Sequence, residues 1–160
     1  MNQKDLKELY IEKCYKYGDY SEGCLFKQIE KINGLDLCKR MDRYSKYDFI
    51  ITQNDKKNIY IELKTRSNKA NAFDTTYFPI AKIQNYINFR KSGDRYIIVI
   101  GFPNKNIDII NNTDGYEGLD IKYFFIEYRS RIFNTYKIVN DNICIEIKDL
   151  KPICDLYAVI

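Results

Sequence analysis

Histidine is absent from this chain of 160 residues. Its absence excludes hydrolases that activate a serine or a cysteine through an imidazole, and also zinc enzymes and nucleases that depend on a histidine. Long apolar runs are missing too, because the most apolar stretch, residues 96–102, is far shorter than the roughly 20 residues of a membrane-spanning helix. Hydrolytic chemistry would therefore have to come from carboxylates, lysines and a hard metal ion, or from a nucleophile activated in another way.

Cysteine is scarce, with five residues that are odd in number and widely spaced. No pair has the short spacing of a zinc knuckle or a redox motif, so we expect buried free thiols in a reducing compartment. The first ten residues also lack the apolar run of a signal peptide. These absences predict a soluble, intracellular protein of the cytoplasm or nucleus that does not associate with membranes.

Lysine, asparagine, isoleucine, tyrosine and phenylalanine are abundant, as is usual when the coding DNA is rich in A and T. The formal net charge of +4 is modest. The lysine content is therefore only weak support for nucleic-acid binding. The length suits one domain, which we expect to span residues 1–160.

Hydrophobic periodicity predicts a chain that contains both helices and strands, of α/β (α+β) class. Two helices are expected first, with a break after Gly18, and the second helix should end at Asn33-Gly34. From the N-terminus, the predicted elements are helices 3–17 and 22–32, strands 35–41, 47–52 and 58–65, a polar loop 66–78, helix 79–91 and a buried strand 95–101.

The last third of the chain has a different pattern, a polar loop followed by strands. A loop rich in Asn, Asp and Gly is expected over residues 103–118, and the strands after it are predicted at 122–128, 131–139 and 143–147. In the helix 79–91, Pro79 suits the first turn, and the residues predicted to face the core are Ile80, Ile83 and Ile87.

The third predicted strand carries charge on one side. Its apolar residues Ile59, Ile61 and Leu63 share one face, which leaves Tyr60, Glu62 and Lys64 on the other. If the strands 47–52 and 58–65 form a hairpin, the start of one lies beside the end of the other. Asp48 would then come close to Glu62 and Lys64.

This combination is chemically meaningful. The carboxylates of Asp48 and Glu62 can share a magnesium ion, and the backbone carbonyl of Leu63 can supply a further oxygen. A bound water would then be easier to deprotonate, with Lys64 orienting it and offsetting charge on an attacked phosphate. The pattern predicts metal-assisted phosphodiester hydrolysis.

A solvated salt bridge between Glu62 and Lys64 is the open alternative, because exposed ion pairs are common and contribute little. An acidic residue two places before a lysine also occurs at Asp5/Lys7, Asp55/Lys57, Asp120/Lys122, Glu146/Lys148 and Asp149/Lys151. Only the Glu62/Lys64 pair has an aspartate at the start of a predicted hairpin partner.

Asp48 and Glu62-Leu63-Lys64, set in the order helix, three strands, helix, strand, resemble the PD-(D/E)XK nuclease superfamily, which has the restriction-endonuclease-like fold. The resemblance covers about residues 21–101 and leaves about 102–160 as a β extension. It implies an αβββαβ core with a mixed central sheet flanked by helices. It implies that Asp48 and Glu62 bind a divalent metal, Mg²⁺ or Mn²⁺, and that Lys64 assists the nucleophilic water.

Many members of that superfamily place a glutamate on the first core helix, facing the site. Glu22 is the candidate here, with Glu30 in reserve. The sequence departs from the family pattern in having Tyr47 where the motif's name has proline. It also has Asn88 where some members carry a tyrosine four residues after the glutamine equivalent to Gln84.

The resemblance implies a nuclease acting on DNA, with an endonuclease of structure-selective or resolvase-like type as the main expectation. It leaves RNA open as a substrate, and small members of this kind usually act as dimers. The alternative is an inactive nucleic-acid-binding or protein-interaction module on the same fold. The residues predicted to contact nucleic acid are Lys57, Arg66, Lys69, Lys82 and Gln84, and the aromatic residues that could stack on bases or pack on the core are Phe73, Tyr77 and Phe78.

Overall fold

Alternating apolar residues in the middle of the chain build the central sheet of the computed structural model, which describes residues 2–30, 37–39, 45–53, 57–113 and 115–160. The helices in the described ranges are α1 (Gln3–Glu30), α2 (Ile80–Phe89) and α3 (Ser130–Phe133). The strands are β1 (Leu37–Lys39), β2 (Phe49–Thr52), β3 (Asn58–Thr65), β4 (Thr75–Pro79), β5 (Arg95–Pro103), β6 (Ile121–Glu127), β7 (Ile138–Val139), β8 (Asn142–Glu146) and β9 (Lys151–Pro152).

The main sheet has six strands within the described ranges, in the order β1-β2-β3-β5-β6-β9. Strands β3 and β5 are parallel and place Glu62 opposite Ile98, whereas the other neighbours are antiparallel. A parallel pair needs a crossover connection, and α2 lies within it. Strand β5 is buried along almost its whole length, as expected of a central strand covered on both faces.

Helices cover both faces of this sheet. On one side, the core combines α1 with the apolar face of β3 and includes Tyr17, Leu25, Ile29, Ile61 and Leu63. On the other side, it combines α2 with the opposite face and includes Tyr60, Ile83, Tyr86, Ile98 and Ile100. Glu62 and Lys64 lie on the same face of β3 as Tyr60, and on this face Tyr60 and Glu62 are buried whereas Lys64 is half-buried.

Most of the predicted strands are confirmed. Strands 47–52, 58–65, 95–101, 122–128 and 143–147 correspond to β2, β3, β5, β6 and β8, and the short β1 lies within predicted strand 35–41. The predicted helix 79–91 is α2, but Ile87 is 41% exposed and Tyr86 takes the buried position. The predicted stop at Asn33-Gly34 lies outside the described residues.

The predicted loop 66–78 is wrong at its end, where β4 begins at Thr75. This strand forms a second sheet in the order β4-β8-β7, and its alternate residues Thr76 and Phe78 are buried. The predicted strand 131–139 is also mostly wrong, because α3 occupies its start and only β7 is extended. The first error involves a strand whose partner, β8, is distant in sequence, which local periodicity does not reveal.

The two predicted N-terminal helices are a single continuous helix, so the predicted break after Gly18 is wrong. The buried side chains Tyr17, Ser21, Leu25 and Ile29 follow one another at intervals of four and run across the expected break. Because residues four apart lie on one helix face, this stripe packs without interruption. The burial of the stripe offsets the modest cost of a glycine inside a helix.

The composition-based expectations are partly confirmed. Among the described side chains, Cys14, Cys24, Cys144 and Cys154 are free thiols, but only Cys144 is buried, whereas Cys14 and Cys24 are half-buried and Cys154 is exposed. No helix in the described part of the chain is long and apolar enough to cross a membrane.

Replacing Gly18 by alanine tests the continuous helix. An added Cβ at Gly18 meets no atom within 4 Å, so Gly18→Ala should stabilise the protein by about 0.5–1 kcal/mol in urea unfolding. Gly93→Ala is the matched control and should destabilise, because Gly93 has φ +89° and its Cβ would lie 2.8 Å from Lys57 Cε. A loss of stability in Gly18→Ala would argue for a break in α1.

Candidate functional site

The end of the β2–β3 hairpin fixes Asp48 beside the third strand. Phe49 is the first paired residue of β2 and lies opposite Ile61. Just beyond this pair, the Asp48 amide donates to the Ile61 carbonyl at 3.0 Å, and the Leu63 amide donates to Asp48 Oδ2 at 2.7 Å. The carboxylate of Asp48 therefore replaces the missing strand partner of Leu63, and it is held at the carboxyl end of β3.

Glu62 lies beneath α2 and is only 2% exposed. Lys82, in the first turn of α2, forms an ion pair with it, with Nζ 2.7 Å from Oε1. The alternative of a solvated pair between Glu62 and Lys64 does not hold, because Glu62 is buried and its ion pair is with Lys82. The sequence predicts for Lys82 only a contact with nucleic acid and does not reveal this ion pair.

The electrostatics of the two central residues are perturbed in opposite directions. Burial, and next the nearby Asp48 carboxylate, raise the pKa of Glu62 to about 7 although Lys82 opposes the shift. Burial lowers the pKa of the Lys64 ammonium, while the neighbouring Glu62 carboxylate opposes this. Paired carboxyl and amine groups with shifted pKa values in a cleft are typical of functional sites.

A cleft of about 740 Å³ opens at this end of β3. It brings together residues from α1, from the start of β2, from β3 and from α2, and the predicted site residues in its lining are Glu22, Asp48, Glu62, Leu63 and Lys64. Glu22 is 6% exposed and projects from the part of α1 that packs on the sheet. The reserve candidate, Glu30, is exposed and does not line the cleft.

The predicted nucleic-acid contacts separate into two groups. Arg66 and Lys82 line the cleft, and Lys69 lies exposed just beyond Asn68 at its edge. Lys57 directly precedes β3, so roughly 23 Å of strand separates it from Lys64 at about 3.3 Å per residue. Gln84 is exposed on α2 outside the cleft lining. Of the aromatic candidates, Phe78 is in the core, whereas Phe73 and Tyr77 are exposed.

A buried polar network that sequence reasoning missed anchors α1 to the sheet. Thr65 Oγ1 donates to Ser21 Oγ, and the Tyr123 hydroxyl donates to the Ser21 carbonyl at 2.8 Å. Because Ser21 precedes Glu22, this network sets the position from which Glu22 enters the cleft. A serine on the buried stripe of a helix was the available signal, since a hydroxyl there needs a partner.

The donors in the cleft fit a hard divalent cation. Glu62 Oε2 is buried without a hydrogen-bond partner among the described residues, so a carboxylate oxygen is available there. No group of three His, Cys, Asp or Glu side chains in the described ranges is arranged to hold a metal ion. Mg²⁺, however, is commonly bound through one or two carboxylates and keeps several waters. Asp48, Glu62 and the Leu63 carbonyl would be the donors of such a site.

The strand order, the parallel β3–β5 pair and the helices on opposite faces define the restriction-endonuclease-like fold, and the predicted fold class is confirmed. A similar solved structure is that of Hjc from Archaeoglobus fulgidus, a Holliday junction resolvase from an archaeal hyperthermophile. The TM-score is 0.52 at 15% identity, over 82% of this chain and 96% of that one. No protein-family model and no curated protein matches the sequence. At this identity, the likeness establishes the fold.

The raised pKa of Glu62 predicts a pH-dependent cost to stability. Folding favours the protonated form of Glu62. The free energy of unfolding is therefore highest below about pH 4.5 and decreases as the pH rises through about 7. The cost at pH 8 should be on the order of 3 kcal/mol. Glu62→Gln removes this titration and should therefore gain stability relative to the wild type between pH 4.5 and 8 in urea unfolding. Parallel pH curves for the two proteins would contradict the burial argument.

Proposed function

We propose that this protein is a divalent-metal-dependent nuclease that hydrolyses phosphodiester bonds of DNA, as an endonuclease of structure-selective or resolvase-like type. The observation that carries the proposal is the convergence of Asp48, Glu62 and Lys64 in one cleft at the carboxyl end of β3. Support for DNA as the substrate comes from the fold shared with Hjc, which is a Holliday junction resolvase.

In this proposal, Asp48, Glu62 and the Leu63 carbonyl hold Mg²⁺ or Mn²⁺. When bound, the cation lowers the pKa of a coordinated water and offsets charge on the attacked phosphate. Lys82 supports this arrangement from α2, because its ion pair favours the ionised form of Glu62, which is the form that binds a cation.

Lys64 is the residue that orients the attacking water, and in its neutral amine form it can take up the proton that the water releases. It is partly buried, and its lowered pKa brings the ammonium closer to the range in which proton transfer is efficient. In its ammonium form, Lys64 places a positive charge in the cleft between Glu62 and Arg66, where it would face the attacked phosphate. Glu22 faces the same cleft from α1 and serves as an accessory carboxylate that orients water.

We also infer that the whole chain acts as one catalytic unit. Strands β6 and β9 complete the same sheet as β2 and β3, and β8 pairs with β4, which directly precedes α2. Residues after 101, expected from the sequence to be an extension, therefore support the cleft as well.

The activity test uses circular, linear, flapped and four-way DNA, with RNA counterparts, in Mg²⁺ or Mn²⁺. Asp48→Asn and Lys64→Ala should each lower cleavage by at least about a hundredfold. The matched controls are Glu146→Gln and Lys148→Ala, which change the same E-x-K pattern where it forms an exposed ion pair outside the cleft. These controls should cleave like the wild type.

Cleavage of circular DNA is expected for an endonuclease, and preferred cutting of four-way or flapped DNA for the structure-selective type. Full activity in both Asp48→Asn and Lys64→Ala would refute the assignment of the site. Absence of cleavage on every substrate would favour a binding module on the same fold.

Metal binding can be tested separately by calorimetry with Mn²⁺. The wild type should bind one ion, and both Asp48→Asn and Glu62→Gln should abolish the measured heat, because each removes a carboxylate ligand. Glu146→Gln should bind as the wild type does. Equal Mn²⁺ affinity in all four proteins would place the ion elsewhere.

A further inference from the structure

Arg66 follows β3 directly and lines the cleft two residues beyond Lys64. Its Nε donates to Thr76 Oγ1 at 2.8 Å, which fixes one edge of the guanidinium. Its Nη2 atom is buried and has no hydrogen-bond partner among the described residues. Arg66 therefore presents a cation in the cleft that is held on one side and unsatisfied on the other.

Arg95 shows how this protein satisfies another partly buried arginine. Its Nε lies 2.7 Å from Glu127 Oε1, and its Nη2 lies 3.1 Å from Oε2, so the guanidinium is paired with a carboxylate in a two-pronged arrangement. Arg66 has no carboxylate within ion-pair distance in the described part of the chain. A buried charge without a counter-ion is costly, and an anion that enters the cleft would remove that cost.

The backbone around Arg66 is fixed from both sides. Its amide donates to the Gly101 carbonyl at 2.8 Å, and the Tyr17 hydroxyl donates to its carbonyl at 2.8 Å. Because α1 and β5 hold the main chain and Thr76 holds Nε, the guanidinium needs little reordering to bind a ligand. A planar guanidinium fork matches the geometry of phosphate oxygens.

We propose that Arg66 is the anchor of a phosphate-binding subsite in the cleft, where a nucleic-acid phosphate supplies the counter-ion that its guanidinium lacks among the described residues. The identity of the ligand as nucleic acid rests on the proposed function. The subsite itself is built by Arg66, Thr76 and Tyr17 and needs no metal ion. It is distinct from the carboxylates that would bind the cation.

The first test measures binding of a four-way DNA junction in EDTA by fluorescence anisotropy over a range of salt concentrations. Arg66→Gln should weaken binding about tenfold or more and reduce the slope of log K against log salt by about 0.9, the value for one phosphate contact. Arg66→Lys keeps the charge but loses the fork, so it should fall between these two proteins. Arg131→Gln removes the same charge from an exposed position on α3 outside the cleft, and should match the wild type.

The second test titrates the wild type with inorganic phosphate and follows the Arg66 Nε–Hε resonance by NMR. The resonance should shift with phosphate and not with chloride at equal ionic strength, whereas the Arg95 resonance should stay in place. This measurement decides the question even if Arg66→Gln fails to fold.

The two proposals fail in different ways. An unchanged salt slope in folded Arg66→Gln, or no phosphate-specific shift of the Arg66 resonance, would overturn the subsite and leave cleavage dependent on Asp48 untouched. A protein that cleaves no substrate but shows the Arg66-dependent phosphate shift would refute the nuclease and retain the subsite.

Discussion

The hydrogen bond from the Leu63 amide to Asp48 Oδ2 is the contact on which the site depends. It lies where β2 stops pairing with β3, so one side chain both completes the backbone hydrogen bonding and brings a carboxylate to the end of the strand. Because side chains alternate along β3, Glu62 and Lys64 project from the face opposite the Leu63 side chain, on the side of the sheet that α2 covers. Strand geometry and candidate chemistry therefore share the same few residues.

The charges in the cleft are arranged at a cost to stability. Burial makes the ionised form of Glu62 expensive, and Asp48 adds like charge, while only Lys82 is within ion-pair distance among the described residues. Because its pKa is raised to about 7, the Glu62 carboxyl group can readily lose its proton when a cation binds. Proteins retain such unfavourable buried charges at functional sites because ligand binding compensates their cost.

The central strands and the placement of Asp48 beside Glu62 could be predicted from the sequence because both arise from local patterns. The alternation in residues 58–65 gave the bounds of β3, and the polar turn before it predicted the hairpin that brings Asp48 to Glu62. The ion pair with Lys82 could not be predicted in this way. It depends on how α2 packs across the sheet, which is a tertiary property.

The errors have similar physical causes. A glycine at position 18 suggested a helix end, but the buried stripe on α1 continues through it, because packing outweighs propensity. Lys57 is close to Glu62 in sequence, but β3 places it at the other end of the strand from Lys64, so its predicted contact with nucleic acid would lie outside the cleft. The sequence predicts a loop where β4 lies, since the partner that makes this segment a strand, β8, is far along the chain.

That distant pairing also determines when the site can form. Strand β4 leads directly into α2, and the Ile80 amide at the start of this helix donates to the Asp141 carbonyl, next to β8. During synthesis, the segment that carries β8 emerges long after Asp48, Glu62 and Lys64. We therefore expect Lys82 to take its final place against Glu62 only after this late segment docks, so that a nascent chain would contain the residues of the cleft before their charges are paired.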